Sequence, residues 1–133
     1  MRDVPRGLLD TSVVIDLPLL PADVLPAESA ISTITVAELA AGPHATADAA
    51  ERAARQQRLQ WVEGTFDALP FDIDAARAYG RLYAATLAAE KSARRRVTGL
   101  LIAAVAVSHG LPVITRNPAD FAGLDPVVEV IAV

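Results

Sequence analysis

The chain has 133 residues, a length that suits one domain. Because it contains no cysteine, disulfide frameworks, zinc–thiolate sites and thiol catalysis are excluded. Hydrophobic residues make up 53% of the sequence and alanine alone supplies 27 positions, which excludes a disordered chain. Twelve basic residues stand against 16 acidic ones, giving a net charge of −4. Bulk charge therefore argues against a protein coated with nucleic acid and leaves room only for a local basic patch.

Neither the longest apolar stretch nor the N-terminal segment suggests a membrane or secreted protein. The longest strongly apolar stretch, Leu100–Val107, is too short to span a bilayer. The N-terminal segment Met1–Arg6 contains an acid and a proline, and only a short apolar patch follows it, which is unlike a secretory signal. We therefore predict a soluble, cytoplasmic protein that makes no contact with a membrane.

The first half of the chain alternates short strands with helices. Gly7–Leu9 is an apolar run that ends in an acid and two hydroxyl residues, which predicts a buried strand leading into a helix cap. A second strand is predicted over Ser29–Ser32, followed by a short helix over Thr35–Ala41 that a Gly-Pro pair ends. The Ala- and Arg-rich segment 47–62 predicts a long helix.

The second half continues the alternation. Ala68–Phe71 is predicted to be extended, and Asp72 is predicted to cap a helix that reaches Glu90. The remaining segments are a basic connector (Lys91–Arg96), a helix that is apolar on nearly all sides (Val97–Ser108), a strand (Leu111–Thr115), a turn at Asn117-Pro118 and a last strand (Val127–Val133). This order predicts a single α/β domain over residues 1–133, with a mostly parallel central sheet flanked by helices.

Four acidic or amide side chains are predicted to meet at one edge of that sheet, because open parallel sheets bind ligands at the carboxyl ends of their strands. Asp10 directly follows the first strand, and Asn117 and Asp120 follow the strand that ends at Thr115. Glu38 lies one turn into the helix after the second strand. Oxygen ligands that converge from distant parts of a chain suit a hard divalent cation.

Each of these residues also has a purely structural interpretation. Asp10 could simply cap the following helix, and Asp120 could be an acid in a turn. Glu38 stands three residues after Thr35, which matches a capping box. The basic connector, which contains Arg94, Arg95 and Arg96, could be a solvated surface run or a contact for phosphates.

Five segments in order resemble the PIN domain, and the length fits the VapC toxins of bacterial toxin–antitoxin pairs. The segments are Leu8–Asp16, Ser32–Leu39, Leu101–Ala106, Gly110–Asn117 and Asp120-Phe121. Together they extend over nearly the whole chain. The resemblance implies a three-layer fold, with a mostly parallel sheet between helices.

The resemblance also implies an endoribonuclease that depends on Mg²⁺ or Mn²⁺. Asp10 and Glu38 match the first two metal-site acids of the family, while Asn117 and Asp120 match its more variable closing region. Asp10, Glu38 and Asp120 are then the expected metal ligands. The same comparison implies that Thr11, Ser12 and Thr115 orient the acids, and the basic connector supplies Arg94, Arg95 and Arg96 to hold RNA.

One position departs from the family pattern. The family normally has a metal-site Asp three residues before the Ile of the Leu-Ile-Ala-Ala segment, and here that residue is Gly99. Glycine in the first turn of an apolar helix has little packing purpose, although it could serve as a cap. We expect the absence of this acid to lower the turnover more than it lowers the affinity for RNA.

Three functions therefore stay open at this point. The first is a metal-dependent endoribonuclease toxin with impaired turnover, and the second is a catalytically dead PIN module that binds its antitoxin and RNA without cleaving. A more distant third is an aspartyl-phosphate receiver or phosphatase that uses Asp10. The first two imply a VapB-type antitoxin as partner, a homodimer, and a tetramer or larger assembly with the antitoxin.

Overall fold

A computed structural model describes residues 4–133 and shows five parallel strands in one sheet, in the order β3-β2-β1-β4-β5. The strands are β1 (Arg6–Leu9), β2 (Glu28–Ser32), β3 (Ala68–Leu69), β4 (Val113–Thr115) and β5 (Val130–Ala132). The helices are α1 (Thr11–Asp16), α2 (Thr33–Ala41), α3 (Ala49–Thr65), α4 (Ile73–Ala88) and α5 (Val97–Ser108). The predicted α/β class with a parallel sheet is confirmed.

Successive residues of a strand point to opposite faces of the sheet, and here both faces carry apolar side chains. Helices therefore cover both faces. Leu8 of β1 and Val113 of β4 pack with the buried faces of α4 and α5. Leu9 and Ile114, the next residue of each strand, pack on the other side with buried residues of α1, α2 and α3. The domain therefore has three layers with an apolar core on each side of the sheet.

Several element boundaries differ from the sequence predictions. Helix α2 begins at Thr33 because the Ser32 side chain accepts a hydrogen bond from the backbone N–H of Thr35 and so caps the helix two residues earlier than expected. Helix α4 ends at Ala88, and Glu90 beyond it has a positive φ of 58°. The last strand begins at Val130, after a turn that takes up the residues from 127 onward.

Within the described range, no helix is long and apolar enough to cross a membrane. The segment Met1–Arg6, on which the prediction about a secretory signal was based, lies partly outside the described residues.

The sheet order brings two chemically distinctive strand ends together. Strands β1 and β4 are neighbours, and the Asp10 backbone N–H donates to the Ile114 carbonyl at 3.0 Å. The carboxyl end of β1 is thus fixed beside the end of β4, where Thr115 lies. Asp10 caps α1 from this edge, since its side chain accepts from the Val13 N–H at 3.3 Å.

Candidate active site

Asp10 is a buried carboxylate whose two oxygens are both held by hydroxyl groups. Ser12 donates to Oδ1 at 2.5 Å, and Thr115 donates to Oδ2 at 2.7 Å. The hydroxyl of Ser12 also accepts the Arg116 N–H at 3.1 Å, and that of Thr115 accepts the Asn117 N–H at 2.9 Å. These bonds connect α1 to the end of β4 and fix the orientation of Asp10 in the fold.

Glu38 reaches the same region from α2 and is held by a chain of two hydroxyls. Thr11 donates to Glu38 Oε1 at 2.5 Å, and the Thr35 hydroxyl lies 3.0 Å from that of Thr11. Because a threonine has one hydroxyl proton, which Thr11 gives to Glu38, Thr35 is the donor to Thr11. Glu38 is therefore not the acid of a capping box at Thr35, since Ser32 caps α2 and Glu38 bonds across to α1.

A third part of the site is the short 3₁₀ turn Pro118–Phe121, which follows β4. Asn117 and Asp120 are exposed there, and among the residues described neither side chain makes a hydrogen bond or ion pair. Arg96 holds the turn in place, since its guanidinium donates to the carbonyls of Ala122 and Ala119, each at 2.9 Å. Arg96 thus has a structural task that the sequence did not reveal.

These residues enclose one cavity of about 330 Å³. It brings together most of the predicted site, and its lining residues are Asp10, Thr11, Ser12, Glu38, Arg95, Arg96, Thr98, Gly99, Ile102, Asn117, Asp120 and Phe121. Thr115 stands behind Asp10 and reaches the cavity only through it. Arg94 is exposed and does not line the cavity, so only Arg95 and Arg96 of the basic connector border the acids.

Gly99 lines this cavity from the first turn of α5. A Cβ atom placed there would lie 3.6 and 3.7 Å from the Phe121 ring and 3.8 Å from the Asp120 carbonyl oxygen. These are ordinary van der Waals distances, and Gly99 does not have a positive φ. Neither sterics nor backbone conformation requires glycine at this position, and a side chain there would border the cavity beside Asp120.

The donor set suits a hard cation that shares its coordination with a substrate. Three carboxylates line the cavity: Asp10, Glu38 and Asp120. Among residues 4–133, however, no three His, Asp or Glu side chains lie close enough together to hold a metal ion by themselves. Mg²⁺ commonly binds through one or two carboxylates plus substrate phosphates and water, so these residues fit such an ion better than an all-protein cage.

Comparison with known proteins identifies the fold. The PIN-domain profile matches residues 8–125. The chain belongs to the PIN-domain family. A similar protein, Ribonuclease VapC5 of Mycobacterium tuberculosis, is 43% identical over 122 residues, which cover 90% of this chain and 87% of that protein. VapC ribonuclease Y4jK of Sinorhizobium fredii is 40% identical over 105 residues, which cover 71% of this chain and 70% of the relative.

A solved structure agrees with this assignment over nearly the whole PIN domain. The crystal structure of VapBC-5, a member of the VapBC family of toxin–antitoxin systems from Mycobacterium tuberculosis, matches with a TM-score of 0.85 and 40% identity. The match covers 97% of this chain and 99% of that chain. The resemblance to the PIN domain and its VapC group is therefore confirmed, and so is the three-layer fold.

The sequence interpretation missed several residues of the site, among them Thr35 and Phe121. Thr35 is fully buried and supports Glu38 through Thr11, although the pattern suggested only a capping role for it. Its spacing of three residues from Glu38 places both on one face of α2, and that signal was present. Phe121 closes the cavity beside Gly99; the Asp120-Phe121 segment of the PIN-domain resemblance includes it without assigning it to the site.

Proposed function

We propose that this PIN domain is the toxin of a toxin–antitoxin pair and a metal-dependent endoribonuclease whose turnover is reduced by Gly99. The carrying observation is that Asp10 and Glu38, from separate elements, line one cavity with Arg95 and Arg96 at its border. Two similar proteins at 40% identity or above are named as VapC ribonucleases, which supports the same activity. RNA is the substrate class proposed.

Asp10, Glu38 and Asp120 would hold the Mg²⁺ or Mn²⁺ ion, together with phosphate oxygens of the RNA. When bound, such an ion polarises a phosphoryl oxygen and makes water a better nucleophile. The protein's own contribution is orientation: Ser12 and Thr115 fix Asp10, and Thr11 fixes Glu38. Arg95, exposed at the border of the cavity, would hold a phosphate and offset the charge of the acids.

The second candidate is a nuclease-dead PIN module that binds its antitoxin, and RNA, without cleaving. Gly99 favours it, because the structure offers room for a side chain at this position and no conformational reason for glycine. Cleavage of single-stranded RNA in Mn²⁺ by the chain as it stands separates the two candidates. We expect slow cleavage that EDTA and Asp10→Asn both abolish; RNA binding without any cleavage would favour the dead module.

The proposed partner is a VapB-type antitoxin that docks in an apolar groove. The groove, about 440 Å³, is lined mainly by Leu17, Pro18, Leu20, Leu25, Trp61 and Phe66, and Trp61 is 54% exposed. An antitoxin segment with apolar anchors at helical spacing fits such a concave surface. The solved relative is a toxin–antitoxin system, which supports this choice of partner. Both proteins would act in the cytoplasm.

A homodimer, joined into a tetramer or larger assembly by the antitoxin, would use a different surface. Ile73, Tyr83 and Leu87 of α4 are 66%, 43% and 54% exposed and lie on one side of the helix. Leu87→Glu should therefore yield a folded monomer in light scattering, with a melting temperature that falls by the amount that dimerisation stabilises the fold. Trp61→Ala should weaken antitoxin binding and leave the dimer intact. A Leu87→Glu dimer would place the interface elsewhere.

A further inference from the structure

A second cavity of about 370 Å³ adjoins the active site and shares Thr11 and Glu38 with it. It lies between α1, α2 and α3, and Arg95, which lines the first cavity, does not line this one. Its other lining residues are Ile15, Leu39, Gly42, Glu51, Arg55 and Arg58. A strand that leaves the active site past Glu38 would therefore enter this cavity.

Three arginines at intervals of three residues lie along α3, and two of them have structural tasks. Arg52 donates to the carbonyls of Pro43 and Thr46, at 3.1 and 2.9 Å. Arg55 donates to the Gly42 carbonyl at 2.9 Å and to the Glu51 carboxylate at 3.0 Å. These bonds brace α3 against the turn after α2.

Arg58 is the third arginine of the row, and it is different. It lines the second cavity and is partly buried, yet within the described part of the chain it makes no hydrogen bond or ion pair. The two acids of the cavity are already engaged, Glu51 by Arg55 and Glu38 by Thr11. Arg58 is thus a cation with five free donors in a recess beside the nuclease centre.

The chemistry of the recess suits a nucleotide. A guanidinium that is partly shielded from water and lacks an anionic partner gains most from a phosphate, which it can bind with two parallel hydrogen bonds. Ile15 and Leu39 form an apolar wall that can contact a ribose or a base edge. An isolated acid cluster would repel RNA, so a cation on each side of it helps to hold the strand over it.

We propose that the second cavity is a nucleotide subsite for the same RNA strand, in which Arg58 binds a phosphate next to the scissile region. The strand runs from Arg95, across Asp10 and Glu38, to Arg58. This proposal rests on the proposed ribonuclease function. It adds that the protein binds RNA over several nucleotides, so that affinity depends on strand length.

The test compares Arg58→Ala with Arg77→Ala in the full chain. Arg77 is an exposed arginine of α4 that pairs with Asp74 and lines neither cavity, so its loss changes the net charge equally without altering the two cavities. Binding of fluorescently labelled single-stranded RNA of two and of eight nucleotides is measured in Mg²⁺ over a series of salt concentrations. Arg58→Lys is included because lysine keeps the charge but not the paired donors.

We expect Arg58→Ala to weaken binding of the eight-nucleotide RNA about tenfold, the effect of one charge-assisted hydrogen-bonded pair, and to leave the two-nucleotide RNA unaffected. The slope of log K against log salt should fall by about 0.7, the value for one phosphate contact on a single strand. Arg58→Lys should lie in between, and Arg77→Ala should match the unmodified chain. Melting temperatures should agree, because Arg58 makes no hydrogen bond or ion pair with residues 4–133.

The outcomes separate this proposal from the one on which it rests. If the unmodified chain binds the longer RNA and Arg58→Ala binds it equally well, the subsite is refuted and the ribonuclease function stands. An equal loss for both RNA lengths would also refute it, because Arg58 would then act at the central site. If the unmodified chain binds neither RNA, the proposed function itself fails.

Discussion

Placing an acid at position 99 is the sharpest test of the site. Gly99 lies in the first turn of α5 and lines the acidic cavity, and the atoms nearest to a Cβ there are those of the Phe121 ring and the Asp120 carbonyl oxygen, at 3.6 Å or more. Gly99→Asp should therefore fold without displacing its neighbours. The comparison needs Gly99→Asn, which has nearly the same shape without the charge, and Gly99→Ala, which tests the backbone alone.

The stability effects without metal follow from three terms. Replacing a helical glycine by alanine stabilises by about 0.5–1 kcal/mol. Aspartate gains less from helix propensity, but its charge near the N-terminus of α5 adds about 0.3–1 kcal/mol through the helix dipole. Repulsion opposes that gain, because two carboxylates cost on the order of 4 kcal/mol at 4 Å and an effective dielectric of 20, and less at larger separations. Gly99→Asp should thus be less stable than Gly99→Ala when metal is absent.

Metal should offset that repulsion. If the added carboxylate tightens Mn²⁺ binding tenfold, saturating Mn²⁺ stabilises Gly99→Asp by about 1.4 kcal/mol more than the unmodified chain. In a domain of this size the difference corresponds to an additional rise of about 4 °C in melting temperature. Gly99→Asn should show no such excess, because an amide cannot supply the charge.

Turnover should change more than binding. A positioned acid that acts in the transition state contributes on the order of a hundredfold, so Gly99→Asp should cleave RNA at least that much faster than the unmodified chain in Mn²⁺, with a similar RNA affinity. Cleavage rates and thermal unfolding are measured on the same preparations. Equal rates and equal Mn²⁺ shifts for the unmodified chain and Gly99→Asp would show that position 99 is outside the metal site.

Three further variants test how the site is held. Thr115→Val removes the buried donor to Asp10 and the acceptor of the Asn117 N–H, so urea unfolding should show a loss of about 1–3 kcal/mol, whereas removing the exposed hydroxyl in Thr65→Val should cost little. Thr35→Val, made in the Gly99→Asp background, should lower turnover, because Glu38 loses the support that Thr35 gives it through Thr11. Thr35→Ser keeps the hydroxyl and should retain the turnover. Equal turnover in the two variants would refute the role of the Thr35–Thr11–Glu38 hydrogen bonds. Arg96→Lys should speed amide hydrogen exchange in residues 118–122, since lysine cannot donate to both carbonyls; unchanged exchange would mean that Arg96 does not hold the turn.

Much of the fold could be predicted because its elements follow local rules. Helix α5 has the predicted bounds, Val97–Ser108. Its residues are apolar on nearly all sides, and most of them are buried in the core. Asp72 caps α4 as expected, through a bond from the Ala75 N–H. Boundaries were wrong where two hydroxyl residues compete for one cap, as Ser32 and Thr35 do at the start of α2.

The site was less accessible from the sequence, because its hydrogen bonds join residues that are remote in the chain. The bond from Thr115 to Asp10 spans 105 positions, and only the pairing of β1 with β4 brings the two together. For Asp10, the structural and the functional interpretations were not alternatives, since the side chain both caps α1 and lines the cavity. The same is true of Arg96, which borders the cavity while it binds two carbonyls of the adjacent turn.

The two halves of the site are built differently, and this explains why position 99 should matter. Asp10 and Glu38 are held by hydroxyl donors, so their orientation is set before any ion or RNA arrives. Asn117 and Asp120 stand exposed on a 3₁₀ turn, and in the part of the chain that the structure describes their side chains have no partner. Gly99 lies beside the turn that carries Asp120, on the side of the cavity where, among the described residues, no hydrogen bond orients the polar side chains. An acid at position 99 would be carried by α5, and it would give the side of the cavity formed by Asn117 and Asp120 a second helix-borne carboxylate opposite Asp10.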